Sequence, residues 1–228
     1  MPKSSVYSLP KLLSGQYMLT AVMRESADTV TFAAMQKDLR REVVLESLRP
    51  ECMADPFKVQ RFLEMARAQS SMGGKFVGTV LELLYAEDTW HIARERIQGR
   101  PLDELLAQGE RGSAATLCEF MLTLCRICIK HDMLGIATAP FSIQNAHYMG
   151  LGFRLANLAQ AGPREPSSSC RDIRNAARDL LAVVDAAAPR ADDFIVILRN
   201  ILSSQHWHAT TVLDVYADLV RLQLLLTR

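Results

Sequence analysis

The stretch from His131 to Asn145, H-D-M-L-G-I-A-T-A-P-F-S-I-Q-N, has the frame of a catalytic loop. A His is followed by a helix-ending Gly135, a short apolar step, a turn at Pro140, and Asn145 eight residues after Ala137. Proton transfer or nucleophilic attack needs a titratable group within hydrogen-bond reach of the reacting atom. The middle of this loop holds Ala137, Thr138, Ala139 and Pro140, none of which is an acid or a base.

Other residues with chemical potential are few. Cys118, Cys125 and Cys128 fall at i, i+7 and i+10 and share one helix face. Cys-Arg-Ile-Cys has a metal-binding spacing, but no second Cys or His pair of suitable spacing follows, so the three read as small core thiols. His206 and His208 in Q-H-W-H lie on the same side of an extended segment and could hold zinc, but a surface loop anchored by Trp207 is the better reading. Asp172 reads as a helix cap or structural anchor. No Ser-His-Asp, Cys-His or paired-carboxylate set can be assembled.

The elements that must position these residues change character along the chain. Residues 1–16, with Pro2, Pro10 and Gly15, read as a lead-in segment. Val-, Thr- and Phe-rich runs over 17–22, 29–35 and 42–48, broken by polar turns, predict strands joined as hairpins. Asp55-Pro56 opens a helix with apolar Phe57, Phe62, Met65 and Ala66, which Gly73-Gly74 stops. Two more strands flank a turn at Glu87-Asp88, and Gly99 closes this half. Helices are then expected over 102–108, 114–133, 171–187, 191–204 and 209–226, with short strands within 149–159. The division is therefore a lead-in 1–16, a β-rich lobe 17–98 with one helix, and an α-rich lobe 99–228.

Composition narrows the classes further. The chain has 228 residues, 49% hydrophobic and 22% charged, with a formal net charge of +1, so it can bury a proper core and carries no electrostatic footprint for nucleic acid. Five scattered cysteines and an N-terminus without a basic-then-apolar signal favour a reducing cytoplasm. No stretch approaches the roughly eighteen apolar residues of a spanning helix, so direct membrane insertion is not expected.

This arrangement resembles the protein-kinase fold, especially bacterial serine/threonine kinase domains, over roughly Tyr17 to Leu222. The residues that carry the likeness are I-A-R-E-R-I-Q-G-R-P-L-D-E-L-L, similar to the family's inter-lobe hinge with Glu95, Gly99 and Leu102; D-P-F-K-V-Q-R-F-L-E-M-A-R-A-Q-S-S-M, similar to its regulatory helix; and L-R-R-E-V-V-L-E-S-L, where the family has its lysine-bearing strand. The resemblance implies an α+β, two-lobed fold with a small antiparallel β lobe, one helix within it, a larger helical lobe and a shortened activation segment.

The family's chemistry rests on a Gly-rich loop, a strand lysine, a catalytic Asp, a metal-positioning Asn and a metal-binding Asp. The loop falls between Val22 and Val30, where M-R-E-S-A-D-T has no glycine and carries acidic Glu25 and Asp28. The strand lysine falls on Glu46. A charge reversal beside a polyphosphate turns attraction into repulsion, on the order of 4 kcal/mol at 4 Å for an effective dielectric of about 20. The partner acid of the regulatory helix falls on Met65, with Glu64 adjacent but about 100° around the helix. The catalytic Asp becomes Pro140, the metal-positioning Asn is kept as Asn145, and the metal-binding Asp becomes Asn157, a far weaker magnesium ligand. Arg94 falls at the position gating the back of the nucleotide pocket, on the strand next to that of Glu46, and an internal Arg94–Glu46 ion pair is expected to fill that space.

The resemblance thus implies a pseudokinase without phosphotransfer, acting as a protein-interaction or regulatory scaffold, with no cofactor, ATP binding disfavoured, protein partners and no nucleic acid. Two alternatives stay open. One is a nucleotide-binding kinase-fold enzyme with atypical transferase chemistry, using Asn145 and Asn157. The other is an unrelated helical protein with a small sheet, which the absence of any sheet in residues 17–98 would support.

Overall fold

The computed structural model describes residues 8–72, 77–109, 111–135, 137–138, 143–149, 153–156, 159–160, 168–203 and 209–227. Its contacts divide the chain into two compact units, residues 1–73 with 78–96, and residues 74–77 with 97–228.

The first unit is a six-stranded antiparallel sheet with one long helix. Its strands are β1 (Lys11–Leu13), β2 (Tyr17–Glu25), β3 (Thr29–Gln36), β4 (Arg41–Leu48), β5 (Val80–Ala86) and β6 (Thr89–Glu95), in spatial order β1-β2-β3-β4-β6-β5. Alternation along the strands sends Tyr17, Leu19, Phe32, Val43, Leu45 and Ala93 into one apolar cluster. Lys11–Leu13, inside the expected lead-in, pairs with β2 as the edge strand, because Leu13 buries its side chain in that cluster. The β5–β6 turn is made by Glu87 and Asp88, both at positive φ (48° and 59°), the geometry of a two-residue hairpin loop.

A 3₁₀ turn (Pro50–Ala54) leads into α1 (Pro56–Met72). The Asp55 carboxylate caps it by accepting from the amides of Phe57 (3.0 Å) and Lys58 (3.4 Å). Phe62 and Ala66 sit one turn apart and pack with Leu48, Cys52 and Ile92 on the second face of the sheet. Phe57 does not join them. It is 80% exposed, because five residues before Phe62 it lies about 140° away from that stripe.

The second unit is mainly helical. β7 (Arg100–Pro101) leads into α2 (Leu102–Ala107), and α3 (Ala114–Leu134) follows. Gly99 lies so close to residues 148 and 149 that an added Cβ would stand 2.7 Å from the Met149 sulfur and 2.8 Å from the Tyr148 carbonyl oxygen. Ser113 caps α3 by accepting from the Thr116 amide at 3.2 Å, and Gly135 ends it at φ 66°, a left-handed cap. The helix is apolar on nearly all sides and buried accordingly, packed against α4 (Ser168–Leu181) and α6 (Ala209–Leu226), with α5 (Ala191–Ser203) between them in sequence. Short strands β8 (Ala137–Thr138), β9 (Ala146–Tyr148), β10 (Phe153–Leu155) and β11 (Ala159–Gln160) form two small sheets, β10-β9-β7 and β11-β8.

One helix ends earlier than its pattern suggests. α4 stops at Leu181 rather than near 187, because the Val183 carbonyl accepts from the Gly112 amide (3.0 Å) and the Asp185 amide donates back to Gly112 (2.9 Å). Those backbone groups are used outside the helix. The order of elements is that of the expected α+β, two-lobed architecture.

Candidate functional site

β4 and β6 are neighbours, with Val44 opposite Arg94 and Glu46 opposite Ile92. Glu46 therefore stands diagonal to Arg94 on one face of the sheet, within reach of a long side chain. Arg94 Nη2 lies 2.6 Å from Glu46 Oε2, and the two side chains are only 9% and 12% exposed. They meet as an ion pair without a well-directed N–H···O bond, and Nε and Nη2 of Arg94 find no hydrogen-bond acceptor among the described residues. The pair is electrostatically matched but incompletely solvated.

The same face is otherwise apolar. Ile92 and Leu48 flank the pair on their strands, and Met65 packs beside them from α1, partly buried. The helix position expected to carry an acid thus contributes a thioether to an apolar cluster. Glu64 points elsewhere, accepting from Gln60 Nε2 at 2.7 Å along its own helix. Glu95, at the end of β6, accepts from the Thr79 amide at 3.3 Å and joins the ends of β5 and β6. The charge of Arg94 is balanced within the fold by Glu46.

The β2–β3 turn is a second feature of this unit. It is only Ser26–Asp28 long and is tied down on three sides. Arg49 holds it with Nη2 on Glu25 Oε2 (2.7 Å), Nε on the Ser26 carbonyl (2.9 Å) and its amide on the Asp28 carbonyl (2.8 Å). Lys58, in the first turn of α1, donates to Asp28 Oδ1 at 2.8 Å. That bond holds the Asp28 carboxyl below its ordinary pKa and raises Lys58 above its own. Glu25 and Asp28 stood out in the sequence as acids in a glycine-free turn; their partners were hidden because Arg49 and Lys58 are more than twenty residues away.

His91 is a third residue that the sequence did not single out. It is buried on β6, with Nδ1 2.7 Å from Ser47 Oγ and Nε2 3.0 Å from the Ala86 carbonyl oxygen. The carbonyl can only accept, so Nε2 carries the proton and Nδ1 accepts from Ser47. Burial lowers its pKa.

In the second unit, Asn145 ends a 3₁₀ turn (Ile143–Asn145) and is half-buried, its carbonyl accepting from the Ala156 amide at 2.7 Å. Pro140, Asn157, His206 and His208 lie outside the described residues. Asp172 is completely buried inside α4, four residues past its start, so it is no helix cap. Ser169 on that helix donates to Asp132 of α3 at 2.6 Å. Cys118, Cys125 and Cys128 are all fully buried along α3, and desolvation pushes the Cys118 thiol up to about 12 and the other two upward as well. Among the described residues no group of three His, Cys, Asp or Glu is placed to hold a metal ion. No helix among them is long and apolar enough to cross a membrane.

Among solved structures, the chain is similar to the kinase domain of PknI from Mycobacterium tuberculosis. The match has a TM-score of 0.67 at 13% identity and covers 95% of this chain and 100% of that one. A mutant of the same domain matches with a TM-score of 0.66 at 12% identity, again over 95% and 100%. At such identity the likeness lies in the fold alone. The chain has a protein kinase-like, two-lobed α+β fold. No family model matches it, and no curated protein does.

Proposed function

We propose that this chain is a pseudokinase domain, a kinase-like fold without phosphotransfer that serves as a protein-interaction or regulatory scaffold. The observation that carries the reading is the Arg94–Glu46 pair, 2.6 Å apart, with Glu46 at the position that the resemblance assigns to a phosphate-binding lysine. An acid there repels a polyphosphate, and it is committed to a neighbour on the next strand. Met65 adds support, since at that position the helix supplies a thioether in place of a carboxylate, and Glu64 is engaged by Gln60 instead. The glycine-free turn pinned by Arg49 and Lys58 offers side chains, not open backbone amides, where close approach to phosphates would need glycine. Five free, buried thiols suit a reducing, cytoplasmic setting.

A thermal-shift titration with ATP, with and without Mg²⁺ or Mn²⁺, tests this reading. Binding to the folded state raises the melting temperature through RT ln(1 + [L]/Kd). No shift at millimolar nucleotide is expected. A clear metal-dependent shift would favour the other reading, a nucleotide-binding enzyme of atypical transferase chemistry relying on Asn145.

A further inference from the structure

A cavity of about 310 Å³ lies within the second unit, where α2, the start of α3 and the β9–β10 hairpin meet. Its floor is Leu102, Leu105, Leu117 and Phe153, all buried. Arg100 and Arg111 stand at its border, and among the described residues no carboxylate lines it. Arg111 is exposed and donates to the Ala182 carbonyl, a neutral acceptor, so no ion pair among the described residues cancels its charge. Arg100 donates to Gln108 Oε1 at 2.8 Å among its other interactions.

The wall is built before any ligand arrives. Two backbone bonds fix Gly112 to the 183–185 turn, and a Cβ on Gly112 would come within 2.5 Å of Leu117 Cδ2. Only glycine lets the chain lie that close to the floor. The Tyr148 ring, 5.1 Å from that of Phe153 between centroids, stiffens the opposite side.

We propose that this cavity receives a segment of a partner protein in which an aliphatic side chain stands next to an Asp or Glu. The inference rests on the interaction-module reading and names the surface and the partner's chemistry. The volume is at the low end of ligand pockets, room for one or two aliphatic side chains on the leucine floor and little more. The Arg111 guanidinium at the border recognises a carboxylate by charge and by its N–H donors. A simple anion would leave the apolar floor wet, and an uncharged apolar group would leave Arg111 unanswered.

Fluorescence anisotropy on the full chain tests this with three labelled peptides: Gly-Leu-Glu-Ile-Asp-Gly, its amide isostere Gly-Leu-Gln-Ile-Asn-Gly, and Gly-Leu-Lys-Ile-Lys-Gly. The acidic peptide is expected to bind at least tenfold more tightly than the isostere. Arg111→Glu, at an exposed site, is expected to lose that preference and favour the lysine peptide, and Leu106→Trp to weaken all binding by filling the cavity. Should Leu106→Trp fail to fold, Arg111→Glu alone decides. Equal binding of acidic and amide peptides, no binding at millimolar peptide, unchanged affinity in Arg111→Glu, or full displacement of the peptide by octanoate at equal concentration would each overturn the proposal. An identified partner still bound by Arg111→Glu would overturn the pocket and leave the interaction-module reading standing. Metal-dependent stabilisation by ATP would overturn that reading instead.

Discussion

Glu46 and Arg94 lie on adjacent antiparallel strands, one diagonal step apart, and their charged groups meet at 2.6 Å with almost no access to solvent. Removing charges from water is costly, and the mutual attraction offsets that cost only while both partners are present.

Each single truncation, Glu46→Met or Arg94→Met, is therefore expected to destabilise the first unit by about 3–5 kcal/mol, whereas the double replacement should cost far less than the sum. Urea unfolding of the four-member cycle measures this. Additive losses would mean that the two charges do not interact. Glu46→Lys should be at least as harmful as Glu46→Met, since it sets a second cation against Arg94.

The Asp28–Lys58 and Glu25–Arg49 bonds should hold the β2–β3 turn still. Lys58→Met and Arg49→Met are expected to speed amide exchange of residues 25–29 with little change in global melting, read by hydrogen–deuterium exchange. The Asp28 carboxyl is depressed below 3.8, so its contribution is full above that pH and is lost as pH falls through the lower folded value. Protection of the turn amides, corrected for their slower intrinsic exchange in acid, should therefore fall in acid in the wild type and change less in Lys58→Met.

His91 predicts a second pH dependence. Its folded-state pKa lies below the ordinary 6.5, chiefly through burial, so as pH falls the unfolded chain takes up the proton first. Stability from the neutral ring is complete above about 6.5 and declines below it. The melting temperature should fall between pH 7.5 and 5.5, and His91→Leu should melt lower at pH 7.5 but show a shallower decline.

All five cysteines are free and buried, and burial raises the α3 thiols well above neutral pH. A thiol-disulfide reagent at pH 7.5 is expected to label none of them quickly in the native state and all five in urea. Rapid native labelling of Cys125 or Cys128 would contradict the packing of α3.

The amino-acid order by itself determined the elements and much of their punctuation. Pro56 to Met72 is a helix because Asp55 can cap it and Phe62, Met65 and Ala66 recur at its period, and α3 runs from Ser113 to Gly135 because a hydroxyl starts it and a left-handed glycine stops it. These are local interactions, visible over a few residues. The gap in chemistry between His131 and Asn145 was equally plain, since side-chain type needs no coordinates. Tertiary structure alone decided the rest. Lys11–Leu13 became a strand because β2 offered an edge, and α4 ended early because Gly112, some seventy residues before, captured its outgoing backbone. The grip of Arg49 and Lys58 on the turn, the neutral His91 beneath Ser47, and the leucine-floored cavity under Arg111 likewise join residues from distant parts of the chain. Their energies come from burial and proximity, which no local window of sequence contains.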